Sequence, residues 1–345
     1  MDFTLSADQT LMKQTLDRFV AENHSDGRAV DRERSHWATF ADLGWLALPV
    51  PEARGGFGGT ALDTMIVMEA FGAGPVAEPY VSSAIVCGTL LAASDGDAAA
   101  AALERLIEGA TIGALAYAEP HAGYDPEAVR ATARIEGNVL VISGEKVAVP
   151  FGGVAGLFVV SVRAGEEGIS LVLVPADAAG VSRRDYVTYD ERSAADVTFD
   201  GVRVPLSAVV GPLHGGLPLL EAALDRGTVA LCAEAVGAMG VLQRRTVEFL
   251  KTRSQFGRPI GSFQALQHRA VDMLVQLELA RAITTYGASV MDGDDAVVRR
   301  RAAAAAKVLV ADASRFVAEQ AIQLHGAIGL IEERATRSSV ASIAG

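Results

Sequence analysis

Cysteine is nearly absent from this chain. Only Cys87 and Cys232 occur, each inside an apolar stretch with helical spacing, so no disulfide framework is implied and two buried free thiols are expected. The six histidines lie far apart, with no H-x-x-x-H pair and no Cys/His spacing, and no metal site is expected. Positive charge is also short. Lys and Arg number 30 against 42 Asp and Glu, and the net charge of -12 opposes broad attraction to nucleic acid or anionic membrane, although a local basic pocket stays open. Uncharged runs are brief or broken by Pro and Gly, so no membrane span is expected. The opening MDFTLSADQT has no basic-then-apolar leader, which makes the cytoplasm the expected compartment.

What is present is enough apolar material for a large folded core. Half of the 345 residues are hydrophobic, which excludes general disorder and allows two or three domains. Residues 1–112 carry helical apolar spacing at 8–20, 37–45, 62–71 and 81–93, and are expected to form an N-terminal α domain. The stretch LPVPEARGGFGG must be a loop; as a phosphate cradle it is weak, because a helix rather than a strand leads into it. Residues 113–212 switch to a period of two, with β-rich runs at 112–117, 129–142, 157–162, 169–174 and 197–204 and a hairpin turn at Glu136, Gly137 and Asn138. No crossover helix separates these runs, so an antiparallel barrel or sandwich is expected rather than a parallel sheet. Residues 213–345 return to helix at 218–252, 263–291 and 296–325, each about 45 Å long, and such rods are expected to bundle. The fold class is therefore α+β: helical, then β, then a long-helix bundle.

Two motif-rich stretches punctuate the bundle. The first, KTRSQFGRPIGSFQALQHRAVDM, joins two of the long helices, with Pro259 and Gly261 making the bend and Ser262 the expected N-cap. Arg253 and Arg258 beside a helix N-terminus suit a phosphate or pyrophosphate, and Phe256 stands between them, flanked by polar residues and glycine. Judged on physics alone, arginines capping carbonyls and a locally packed Phe explain the same turn. The second stretch, Gln323 to Glu333, carries Gly326 as a helix stop, and a C-cap followed by an acidic tail is the plain structural explanation.

Resemblance changes that balance. The string formed by Arg253, Gln255, Phe256, Gly257, Pro259, Ile260, Phe263 and Gln264 resembles the R-x-Q-F-G-x-P-I-x-x-F-Q signature of acyl-CoA dehydrogenases. The run from Gln323 to Glu333 is similar to that family's Q-x-x-G-G-x-G-[aromatic]-x-x-E, and the likeness extends over nearly the whole chain. Within the family, residues 230–240 and the two motifs look closest to the small-subunit type of pimeloyl-CoA dehydrogenase. The resemblance implies FAD as cofactor and an acyl-CoA substrate, with an electron-transfer flavoprotein as a possible acceptor and a homo- or hetero-oligomer (dimer or tetramer) as the working state. It implies that Arg253, Gln255, Phe256, Gln323 and Gly326 serve the pyrophosphate and adenosine half of a flavin lodged mainly in a neighbouring subunit. It places Glu333 on the catalytic base, which removes the α-proton of the thioester. An alternative base position used by relatives is Gly227 here, leaving Glu333 as the matched carboxylate.

Departures fall in the β domain. Ala118 and Tyr124 stand where the family's T-E-P-x-x-G-S-D has hydroxyl residues, and Pro150 replaces a hydroxyl residue and removes an amide donor expected to meet the flavin ring. Ala327 replaces a glycine. Three possibilities stand: an acyl-CoA dehydrogenase acting on an acyl-CoA, conceivably a dicarboxylyl-CoA whose far carboxylate meets Arg183, Arg184 or Arg226; a half-catalytic or non-catalytic subunit paired with a flavin-competent partner; and a helical interaction protein that binds no nucleotide. Exposed structural arginines are the default for those three positions.

Overall fold

The computed structural model describes residues 4–23, 34–74, 76–123, 125–165 and 168–330. In chain order the helical elements before the sheet are α1 (Ala7–Asn23), α2 (Trp37–Asp42), α3 (Ala61–Ala73), α4 (Gly88–Ala92) and α5 (Asp97–Ile107). The strands follow as β1 (Gly113–Ala116), β2 (Thr132–Glu136), β3 (Val139–Pro150), β4 (Leu157–Arg163), β5 (Ile169–Pro175), β6 (Val181–Val187), β7 (Ser193–Pro205) and β8 (Val209–Val210). The C-terminal part holds α6 (Leu217–Thr252), the short strands β9 (Ser254–Gln255) and β10 (Arg258–Pro259), then α7 (Gln264–Val290) and α8 (Ala296–His325). The helical, β, helical order is the one expected. No helix of the described residues is long and apolar enough to cross a membrane.

The chain divides into two compact units, one holding residues 30–60 and 77–227 and the other residues 1–29, 61–76 and 228–345. In the β unit the sheet runs β6-β7-β3-β2-β4-β5-β8, with β1 paired to β4. Most pairs are antiparallel as expected. The exceptions are β1 and β2, each of which runs parallel to β4. The β2–β3 hairpin turns at Gly137, whose φ of 61° suits a residue without Cβ. The sheet is packed into a core that includes Phe158, Val160, Leu171 and Phe199, all buried. The helix expected at 81–93 is a π-helical turn at Val81–Cys87 followed by α4.

In the helical unit, α1 opens with a reciprocal cap: the Gln9 amide donates to Ser6 Oγ at 3.1 Å and the Ser6 amide to Gln9 Oε1 at 3.0 Å. Asp295 caps α8 by accepting from the Val297 and Val298 amides. Segment α3 meets α6 through glycines. A Cβ on Gly72 would lie 1.8 Å from the Glu234 carbonyl oxygen, and one on Gly237 would lie 2.0 Å from that of Glu69. Only missing side chains let the two backbones approach so closely. Met239, Leu242, Met273, Leu277, Val310 and Val317 fill the core among α6, α7 and α8.

Ser262 does not cap α7. The N-cap is Phe263, while the Ser262 hydroxyl donates to the Pro259 carbonyl at 2.7 Å and thereby tightens the preceding 3-10 turn. Pro259 ends β10 and is followed by the 3-10 turn Ile260–Ser262, so α7 starts only after that turn is complete.

Candidate functional site

The turn between α6 and α7 is a small β-hairpin rather than an irregular bend. Gln255 pairs with Arg258 and Ser254 with Pro259, so the two connecting residues are Phe256 and Gly257, with φ of 54° and 77°. Left-handed values at both central positions mark a type I′ turn, where Asn-Gly is the usual sequence. A phenylalanine there is strained, and its ring is not compensated by burial: Phe256 is 89% exposed. Its contact is the edge of Phe263, with ring centroids 6.1 Å apart and planes at 89°. Arg258 lies over the other aromatic, its guanidinium carbon 4.2 Å from the centre of the Phe263 ring, a cation–π contact.

Arg253 is tied at its backbone and open at its side chain. Its amide donates to the Phe249 carbonyl at 2.9 Å, the last turn of α6, and its own carbonyl accepts from the Ile260 amide at 2.8 Å, which closes the hairpin. Arg253 is exposed, and among the described residues no carboxylate pairs with it. By contrast, nearby Lys251 is paired with Glu248 at 2.7 Å. Gln255 is exposed on β9.

The end of α8 lies at the same end of the bundle. The Phe249 and His325 rings stack at 4.5 Å with an interplanar angle of 28°, joining the last turns of α6 and α8. Helix α8 stops at Gly326, whose φ of 63° ends the helical run and whose amide donates to the Ile322 and Gln323 carbonyls. Gln323 is exposed beside this cap. The fold therefore gathers Arg253, Gln255 and Phe256 with Gln323 and Gly326, seventy residues apart in sequence. Glu333 and Tyr124 lie outside the described residues.

The β unit uses its charges differently. Lys146 has no exposed surface, and its ammonium donates to Glu119 Oε1 at 2.7 Å, Ser161 Oγ at 2.9 Å and the Tyr117 carbonyl at 3.2 Å. Glu119 also accepts from the Arg130 and Ala131 amides. Burial pushes the Lys146 ammonium down to about 8. Burial raises Glu119, but the hydrogen bonds from Lys146, Ala131 and Arg130 outweigh it and hold the carboxyl below its usual value. Further along β3, Ala148 has φ of 50° at a bulge, and its amide donates to Asp196 Oδ1 at 3.1 Å. The Pro150 carbonyl accepts from the Ser82 hydroxyl at 3.4 Å. Arg183 and Arg184 are already engaged. The first donates to the carbonyls of Gly152, Gly153 and Ala155, and the second pairs with Asp196 at 2.5 Å. A cleft of about 380 Å³ beside α5, with Ala102, Arg105 and Leu173 in its lining, contains none of the expected site residues.

Phe249 and His325 were not legible as partners from the sequence. The available signal was thin: an aromatic one helical turn before Arg253, and an imidazole directly before a glycine stop.

The architecture is helical, then β, then a long-helix bundle, and comparison with known proteins identifies the family that shares it. The chain matches the N-terminal, middle and C-terminal domain models of acyl-CoA dehydrogenase over residues 6–110, 114–202 and 214–343. It is 30% identical to acyl-CoA dehydrogenase FadE12 of Mycobacterium tuberculosis, over 96% of this chain and 89% of that one. Among solved structures, butyryl-CoA dehydrogenase from Megasphaera elsdenii superposes with a TM-score of 0.91 at 23% identity, covering 99% of this chain and 94% of that chain. The Tcur3481–Tcur3483 steroid ACAD superposes with a TM-score of 0.87 at 25% identity, covering 99% and 93%. The chain belongs to the acyl-CoA dehydrogenase family, whose enzymes use FAD.

The bundle end fits the nucleotide half of that cofactor. An aromatic ring is held out at 89% exposure on a strained turn, beside an arginine with no counter-ion among the described residues. The β3 segment fits the flavin ring less well, because Pro150 has neither a hydroxyl nor an amide to offer.

Proposed function

We propose that the protein takes part in FAD-dependent α,β-dehydrogenation of an acyl-CoA thioester, with Glu333 as the base that removes the α-proton. The single observation behind this assignment is the gathering of Arg253, Phe256, Gln323 and Gly326 at one end of the bundle. Arg253 would pair with the pyrophosphate, Phe256 would offer a flat face to the adenine, and Gln255, Gln323 and Gly326 would meet the adenosine end. Bound there, FAD supplies a hydride acceptor for the β-carbon. Glu333 in a water-poor site would be a stronger base, because burial disfavours the carboxylate. The substrate class is acyl-CoA, a dicarboxylyl-CoA among the candidates, although Arg183 and Arg184 are engaged elsewhere and do not support it. An electron carrier such as an electron-transfer flavoprotein would reoxidise the cofactor, and the working state would be an oligomer in the cytoplasm.

Replacing Glu333→Gln should abolish substrate-dependent bleaching of the flavin while leaving the fold and the bound cofactor intact. Bleaching at the parent rate would remove Glu333 from the mechanism.

One observation favours a second assignment. With no amide at Pro150 and no hydroxyl at Ala118, this chain's own β unit is poorly equipped for a flavin ring, and the chain would then lend its bundle end to a partner subunit's site. The visible spectrum of the isolated chain separates the two: a yellow homo-oligomer favours the first, and a colourless protein that turns yellow only with a co-expressed partner favours the second.

A further inference from the structure

The assignment of the bundle end to the flavin leaves open what holds its two halves in register, since one half hangs from α6 and the other from α8. The geometry points to the Phe249–His325 ring pair as a positioning joint, which sets Gln323 and Gly326 against Arg253 and so builds one nucleotide site from two helix ends. This rests on the proposed function above.

Each side of the joint is tied directly to candidate site residues. On the α6 side, the Phe249 carbonyl receives the Arg253 amide at 2.9 Å, so a shift of Phe249 is a shift of the backbone that carries the guanidinium. The hairpin is locked to the same residue through the Ile260 amide and the Arg253 carbonyl at 2.8 Å. On the α8 side, His325 directly precedes Gly326 and is two residues past Gln323. Its Nδ1 lies 2.8 Å from the Ala321 carbonyl. A carbonyl can only accept, so Nδ1 carries the proton and donates, which fixes the ring plane along the last turn of the helix. The turn at Gly326–Leu330 then folds back over this ring's backbone: a Cβ on Gly329 would stand 3.1 Å from His325 Cβ and 3.1 Å from the Ile322 carbonyl oxygen. His325 is thus confined by its own helix, by the turn that follows and by the stacked face of Phe249, and it is 8% exposed.

A flat ring matters here for a reason that volume alone does not meet. Stacked rings prefer an offset, near-parallel arrangement, which sets the tilt of one helix end against the other, whereas an aliphatic side chain of similar bulk imposes no plane. Neither ring touches the Arg253 guanidinium in any described contact. The joint acts through backbone placement, and both residues are positioning residues rather than catalytic ones.

The test compares His325→Leu, which fills the space without a flat ring, with His325→Phe, which keeps the ring and loses the same Nδ1 hydrogen bond. FAD affinity of the oligomer, stripped of flavin and titrated by quenching of flavin fluorescence, is the readout, alone and in an Arg253→Ala background. The joint predicts that His325→Leu weakens FAD roughly 10-fold, that His325→Phe stays within about 3-fold of the parent, and that His325→Leu adds almost nothing once Arg253 is gone. A purely structural role would lower the melting temperature equally in both backgrounds and leave the affinity losses additive, which would overturn the joint. Parent-like affinity in His325→Leu, when Arg253→Ala is clearly weakened, would also overturn it while sparing the proposed function. Unchanged affinity in Arg253→Ala would sink the proposed function and the joint together.

Discussion

Two cations separate the halves of this molecule. Lys146 in the β unit is fully buried and committed to three oxygens of the protein itself, whereas Arg253 at the bundle end is exposed, anchored through its backbone alone, with no carboxylate partner among the described residues. A charge inside the fold must be neutralised by the fold, because leaving it unpaired in a low-dielectric interior costs several kcal/mol. A charge at the surface has no such requirement, and when it lies beside a strained, exposed ring it is available to something else. Under the proposed function, the lysine reports on stability and the arginine on binding.

The contrast is sharpest in Lys146→Met, where the largest effect is expected. Glu119 would be left buried beside an apolar group, and unfolding in urea should show a loss of about 3–5 kcal/mol. The same pair makes the β unit acid-sensitive. The Glu119 carboxyl is held low in the folded protein, so its stabilisation is fully present above the unfolded carboxyl range and is lost as pH falls through the folded value. Melting followed from about pH 6, above the carboxyl range, down to about pH 3 should fall less steeply in a Glu119→Gln variant than in the parent. Equal acid slopes would show that Glu119 is not the group responsible.

A smaller effect on stability and a larger one on ligand is expected for Arg253→Ala. Urea unfolding should move by no more than about 0.5 kcal/mol, as for surface residues with no partner, while FAD affinity falls at least ~10-fold. A large loss of stability with parent-like FAD binding would erase the distinction between the two cations.

The smallest change has opposite signs in the two measurements. Phe256→Asn puts the preferred residue at the first position of a type I′ turn, so the protein should gain roughly 0.4–1 kcal/mol while FAD binds less tightly. Loss of stability instead would show that the Phe256 contact with Phe263 matters more than the backbone strain.

Much of the architecture was legible before any coordinates. The change from helical spacing to a period of two near residue 113, and back near residue 217, follows from which side chains can face a core at 3.6 or 2 residues per repeat. The Gly137 turn and the Gly326 stop were also readable, because a positive φ excludes most residues with a Cβ. Ser262 shows where local rules fail. A serine before an apolar run is a good cap by pattern, yet its hydroxyl is drawn to the Pro259 carbonyl and the helix begins at Phe263. Nor could the pattern show that Ala148 turns left-handed, since that depends on a bulge against β7 and on Asp196 receiving the amide.

Chain pattern alone determined most of the helices and strands, though not α5, β6 or the β9–β10 hairpin, that the charged residues cluster in a turn after the first long helix, and which family motifs are present. All of these depend on neighbours within a few residues. Tertiary structure decided which charges are committed and which remain available. It did so by bringing Glu119 to Lys146 across 27 residues and His325 to Phe249 across the bundle. An ion pair or a ring stack between distant residues depends on where separate elements are packed, and that information is carried by the whole core rather than by either partner.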